Sequence, residues 1–108
     1  MRSLTVFEET VMLAIYRLKG NAYSVTIHQE IMKMTGEDVI VGTLFNALKQ
    51  LGRKGFLNKM NGRPLHDRGG KDIMFYDISI DGYRALEKTR ELHNKIWNKI
   101  PEVLYRST

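Results

Sequence analysis

The chain has 108 residues, no cysteine, 43% hydrophobic and 27% charged residues, and a formal net charge of +5. Those values fit one globular domain. They exclude disulfides, thiolate metal ligands and a cysteine nucleophile, and no run approaches the roughly 18 apolar residues that a membrane helix needs.

In chain order, Thr5 is a helix N-cap candidate, and Glu8 three residues later completes a capping-box spacing. Phe7, Val11, Ala14, Ile15 and Leu18 follow at helical spacing, and Gly20-Asn21 stops the helix after Lys19. Two glutamates interrupt the apolar residues of MRSLTVFEETVML, so this stretch is not expected to act as a signal peptide. Ser24 is the next cap candidate. Ile27, Ile31 and Met34 share one face of a short second helix, with His28, Gln29, Glu30 and Lys33 outward and Gly36 at its end.

GTLFNALKQLGRKGF opens the third helix. Thr43 is its cap candidate, Leu44, Ala47, Leu48 and Leu51 its buried stripe, and Gly55 its close. The opposite face carries Phe45, Asn46, Lys49, Gln50 and Arg53. Phe56–Met60 and Ile73–Ile80 are strand-like, the second alternating Met74, Tyr76 and Ile78 with Phe75, Asp77 and Ser79. Between them NGRPLHDRGG forms the loop of a long hairpin, although Asn61-Gly62 alone could close one. Ser79 caps a last helix spanning about 80–100 and roughly 30 Å long, with Leu86, Leu92, Ile96, Trp97 and Ile100 at helical spacings and Pro101 at its end. A domain of this size leaves part of such a helix protruding, and an apolar stripe there requires a second chain.

The charge is unevenly placed. Residues 49–71 hold seven Lys/Arg against one acid, Asp67, whereas residues 1–48 have four against five and residues 72–108 six against six. A localised basic patch is the footprint of a polyanion partner. The fold class expected from the element order is mostly α with a β-hairpin: a winged helix-turn-helix over 1–79, then a long C-terminal dimerisation helix over 80–108. The second helix of such a pair enters the major groove. Asn46 and Gln50, four apart, suit bidentate pairing with adenine, and Lys49 suits guanine or phosphate. Thr43 at the helix start suits a phosphate. Arg63, His66, Arg68 and Lys71 are candidates for backbone or minor-groove contact.

Three stretches resemble the PadR family of bacterial transcriptional regulators: GTLFNALKQLGRKGF (42–56) its recognition helix, RGGKDIMFYDISIDG (68–82) its wing, and NAYSVTIHQEI (21–31) the start of its second helix, which brings Tyr23 into the expected DNA-contacting set. The likeness covers about residues 5–86, and the length and single C-terminal helix are similar to the small subfamily. In three places the chain departs from the family pattern. Phe45 stands where a tyrosine is usual, Ser24 where a glycine is common, and Lys71-Asp72-Ile73-Met74 where a basic run follows the glycines. The resemblance implies a cytoplasmic homodimer on a two-fold operator, usually a repressor, and release by a small-molecule effector. Leu92, Ile96, Trp97 and Ile100 are the expected dimer contacts, and Trp97 also the platform for a flat aromatic effector.

Other chemistries are not expected. Gly69-Gly70 precedes a strand, not a helix N-terminus, so it is not a nucleotide loop. His28, His66 and His93 lie on three elements without metal spacing. Asp67, Asp72, Asp77 and Asp81 lie on a hairpin and a helix start, and no nucleophile–base arrangement is visible. No cofactor, metal or enzymatic activity is expected. The rival reading is a winged-helix module that binds protein or RNA without reading DNA sequence; Val41 and Phe45, apolar residues beside the amide face, favour it.

Overall fold

The structure is a computed structural model that describes residues 4–62 and 72–106. Its order is α1 (Val6–Leu18), α2 (Ser24–Thr35), α3 (Val41–Arg53), β1 (Leu57–Gly62), β2 (Ile73–Ile78) and α4 (Ile80–Ile96), with a 3-10 turn at Leu104–Arg106. The first cap is as the sequence predicts. The Glu8 amide donates to the Thr5 hydroxyl at 3.0 Å, and the Thr5 amide donates to the Glu8 carboxylate at 2.9 Å. Lys19, in the left-handed region at φ 47°, ends α1. The second cap differs. Ser24 is already helical and Tyr23 is the cap residue; the Thr26 hydroxyl accepts from the Tyr23 amide at 2.9 Å and donates to the Asn21 carbonyl at 2.6 Å. Thr43 is likewise not a cap: α3 begins at Val41 after Ile40, and Thr43 lies inside its first turn, its amide donating to the Ile40 carbonyl.

The core gathers Val11, Met12, Ala14 and Ile15 of α1, Ile27 and Ile31 of α2, and Leu44, Ala47, Leu48 and Leu51 of α3, closed by Leu57 and Ile78 at the root of the hairpin. Burial of each large aliphatic side chain contributes about 1.5–3 kcal/mol, so the α3 stripe fixes which face of α3 is left for solvent. Met12 is fully buried although its position was not among those the helical spacing selects.

The strands pair antiparallel from Leu57↔Ile78 to Gly62↔Ile73. Asn61 and Gly62 therefore belong to β1, opposite Met74 and Ile73, and do not form the turn. Phe75, the diagonal neighbour on that face, supplies the reason: its ring lies 3.0 Å from where a Gly62 side chain would start, so an aromatic covers the glycine and extends the pairing. The Tyr76 amide donates to the Ala22 carbonyl at 2.8 Å, tying β2 to the segment before α2.

α4 leaves the core soon after it starts. The Ser79 hydroxyl accepts from the Gly82 amide at 3.0 Å and donates to the Gly55 carbonyl at 2.6 Å. Beyond that anchor only Thr89 is buried. The molecule measures 61 × 29 × 23 Å with a radius of gyration of 16.2 Å, against about 13 Å for a compact domain of this length. The helix also stops sooner than Pro101 suggests. Trp97 is its C-cap, and Lys99 takes a left-handed φ of 65°, so Ile100 lies in the turn beyond the helix and does not continue the stripe of Leu92 and Ile96.

Gly82 shows how closely α4 seats. A Cβ there would run into the Phe56 carbonyl oxygen and come within 2.9 Å of Ile78 Cγ2. Gly82→Ala is expected to destabilise by about 1–3 kcal/mol despite the roughly 1 kcal/mol gain in helix propensity. Urea unfolding checks this; equal or greater stability in the variant would show that the contact relaxes freely.

Candidate nucleic-acid interface

At about 100° per residue, the positions of α3 divide into two faces. Leu44, Ala47, Leu48 and Leu51 are buried. Thr43, Asn46, Lys49, Gln50 and Arg53 all fall within about 60° of Asn46 on the other side. Asn46, Lys49, Arg53 and Thr43 are exposed and Gln50 is half-buried. No acid occurs in VGTLFNALKQLGR. Gly42 shares this face and has open space where a side chain would be, so the backbone is bare at the first turn. Phe45 sits to one side, about 100° from Asn46, half exposed beside Val41.

The hairpin adds a cation that sequence reasoning missed. Lys59 of β1 lies along α3, its Cε 3.2 Å from the place of a Gly52 side chain. Among the described residues no ion pair involves Lys49, Arg53 or Lys59. Only register explains this placement: Lys59 opposes Tyr76 on the inward face, and Gly52 leaves room for its stem. The small residue at 52 was the available signal.

The remaining predicted residues separate. Tyr23 is half-buried and packs edge-on against Phe75, with ring centroids 5.4 Å apart, so it joins the start of α2 to the hairpin. Arg63, His66, Arg68 and Lys71 lie outside the described residues. His28 is not simply outward. Its Nε2 lies 2.7 Å from the Val39 carbonyl and 3.3 Å from Asp38, pinning the connection that aims α3. Burial pushes the Tyr76 hydroxyl above its usual range, consistent with a ring packed under the hairpin.

A buried ion pair sets the height of α3. Lys54 Nζ lies 2.6 Å from Glu8 Oε2, with side chains 22% and 9% exposed. Burial alone would raise the Glu8 pKa, but the hydrogen bonds from Lys54 and Thr5, together with the lysine charge, hold it below 4.5.

A concavity of about 320 Å³ lies between α1 and α4 and is bounded by Glu9, Tyr16, Tyr83, Leu86, Arg90 and His93. Tyr16 and Tyr83 meet edge to face at 6.4 Å, and His93 lies 3.4 Å from Glu9. Trp97 is 56% exposed and does not line this groove. No group of three or more His, Asp or Glu among the described residues is placed to hold a metal, and no helix there is long and apolar enough to cross a membrane.

No protein-family model and no curated protein matches the chain. Solved structures do match. RosR of H. salinarum superposes with a TM-score of 0.68 at 22% identity over 97% of this chain and 87% of that one. A PadR-like transcriptional regulator from Bacillus cereus gives 0.69 at 15% identity over 84% of each chain. A PadR family transcriptional regulator from Eggerthella lenta gives 0.68 at 19% identity over 91% and 82%. The fold is the winged helix of PadR-like regulators. RosR is archaeal, so the likeness reaches beyond bacteria. In winged-helix terms α2 and α3 are the helix-turn-helix pair, α3 is its second helix, and β1–β2 is the wing hairpin.

Proposed function

We propose that the chain is a sequence-specific DNA-binding transcriptional regulator, a PadR-like cytoplasmic repressor acting as a homodimer on a two-fold operator. The observation that carries this is the outer face of α3: two amides, two cations in no ion pair among the described residues, and no acid, with Lys59 of the wing at its flank beside Gly52. Asn46 and Gln50 read base edges, Lys49 and Arg53 read guanine or neutralise phosphate, and Thr43 bonds phosphate at the helix start. The test is binding of the full chain to duplex DNA from upstream of its own gene across a salt series. A site whose affinity falls steeply with salt is expected; no duplex binding even at low salt would overturn the reading.

The wing residues Arg63, His66, Arg68 and Lys71 grip the flanking backbone in this proposal. Arg63→Ala with Arg68→Ala is expected to weaken binding to all sequences and to reduce the salt slope by about two. An unchanged slope in the same titration would remove them from the interface.

The dimer rests on the C-terminal region. Leu92 is half-buried, and Ile96, Trp97 and Ile100 are exposed on an arm that protrudes from the domain; exposed apolar surface of this kind calls for a partner. Ile96→Ser with Trp97→Ser is expected to yield folded monomer in sedimentation velocity and to cost about 100-fold or more in operator affinity, since bivalency is lost. A dimer that persists would move the interface elsewhere. In this proposal a planar aromatic effector stacks on Trp97 between subunits, and its binding quenches tryptophan fluorescence.

A winged-helix module that binds protein or RNA is the second reading. The half-exposed Val41 and Phe45 favour it. Binding to duplex DNA without sequence preference would support it over the first.

A further inference from the structure

Beside the amide face of α3 is an apolar notch that hydrogen-bonding readout leaves unexplained. It lies between the N-terminal turns of α2 and α3, encloses about 200 Å³, and is walled by Val25, Val41, Leu44 and Phe45 with Ser24 and Gln29 at its rim. Val25, Val41 and Phe45 are 53%, 54% and 50% exposed, while Leu44 is the buried floor. His28 also lines the notch and is held by the Val39 carbonyl and Asp38, so the notch is framed by a fixed turn.

We infer that this notch receives the 5-methyl group of thymine in the major groove, and that Phe45 and Val41 are specificity-determining residues. The inference rests on the DNA reading proposed above and adds to it which base is read by apolar contact. Three facts favour this occupant. Phe45 precedes Asn46, and Val41 lies one turn earlier, so the notch adjoins the N-terminal half of α3, the part of a recognition helix that meets base edges. The helix carrying it has two cations, Lys49 and Arg53, in no ion pair among the described residues, and no acid, which favours an occupant carried on a polyanion. In the major groove of DNA the apolar group on offer is the thymine methyl; RNA lacks that methyl, and its deep, narrow major groove does not admit side chains.

The experiment uses the full chain. Preferred duplexes are selected from a randomised DNA pool. Each thymine of the selected site is then replaced singly by deoxyuridine, which keeps Watson–Crick pairing and removes only the methyl. At one or two positions affinity is expected to fall about fourfold, the value for one buried methyl-sized group. Phe45→Ala, and separately Val41→Ser, are expected to bind the thymine and deoxyuridine sites equally. Both positions are half-exposed, so both variants keep the core.

Sequence-specific binding with no deoxyuridine effect at any position would overturn the inference and leave the DNA reading intact, as it would if a protein fills the notch. A methyl effect that persists unchanged in both variants would place methyl reading elsewhere and also overturn it. No enrichment and no duplex binding would remove the DNA reading itself.

Discussion

Asn46→Ala combined with Gln50→Ala is expected to abolish discrimination between the preferred operator and a scrambled duplex while leaving non-specific affinity nearly unchanged. Each bidentate amide–adenine pair accounts for about 1–3 kcal/mol of discrimination, so the pair together amounts to roughly a 30- to 20,000-fold loss on the preferred site if the terms add. The cations proposed to supply the sequence-independent attraction, Lys49, Arg53 and Lys59, are untouched. The substitutions also spare the fold. Asn46 is exposed, Gln50 is half-buried, and the stripe of Leu44, Ala47, Leu48 and Leu51 stays complete; alanine is the better helix former at both positions. Fluorescence anisotropy on both duplexes, with circular dichroism as the fold control, checks this. A variant that keeps its sequence preference would show that α3 is not the reader, whatever its charge.

What was legible in the sequence followed from local chemistry. The Thr5–Glu8 box, the Ser79 cap and the α3 stripe are set by residues three or four apart, and all three are present. The winged-helix order follows from them because each amphipathic face must find a partner. What was not legible depended on distance along the chain or on a neighbour's shape. Asn61-Gly62 reads as the start of the hairpin loop, yet Phe75 covers Gly62 and both residues lie in β1. Ile100 keeps the spacing of Leu92 and Ile96, but helical spacing does not reveal that Trp97 ends the helix. Lys59 reaches α3 only because β1 folds back over Gly52. Tyr23, a residue read for DNA contact, has its ring packed against Phe75. In the candidate site, then, the residues exposed on the α3 face were readable and the placement of Lys59 beside it was not.

Lys54→Met is expected to be among the most destabilising single changes, and its cost is expected to depend on pH. The Glu8–Lys54 pair joins residues 46 positions apart, and each charge stands where a helix favours it: Glu8 in the first turn of α1, Lys54 at the end of α3. Removing the lysine leaves a carboxylate with a side chain 9% exposed and only the Thr5 groups as donors; an unpaired buried charge costs about 3–5 kcal/mol. Removing the carboxylate is milder. In Glu8→Gln the amide oxygen still accepts from Thr5, and Lys54, the more exposed partner, turns toward water, so about 1–2 kcal/mol is expected. The wild-type pKa of Glu8 lies below 4.5, so the pair stabilises the fold above that pH and the contribution is lost as pH falls through the folded value. Without Lys54 the burial that raises the Glu8 pKa is unopposed by the lysine. The variant's deficit should therefore shrink from pH 7 to pH 4 as Glu8 protonates, whereas the deficit of Glu8→Gln shrinks because the wild type loses its pair. Urea unfolding of the three chains at both pH values separates these. A Lys54→Met deficit no larger than that of Glu8→Gln at pH 7 would show that water reaches the carboxylate. Because this pair holds the C-terminal end of α3 against α1, the same variant is expected to lose operator affinity even under conditions where it remains folded.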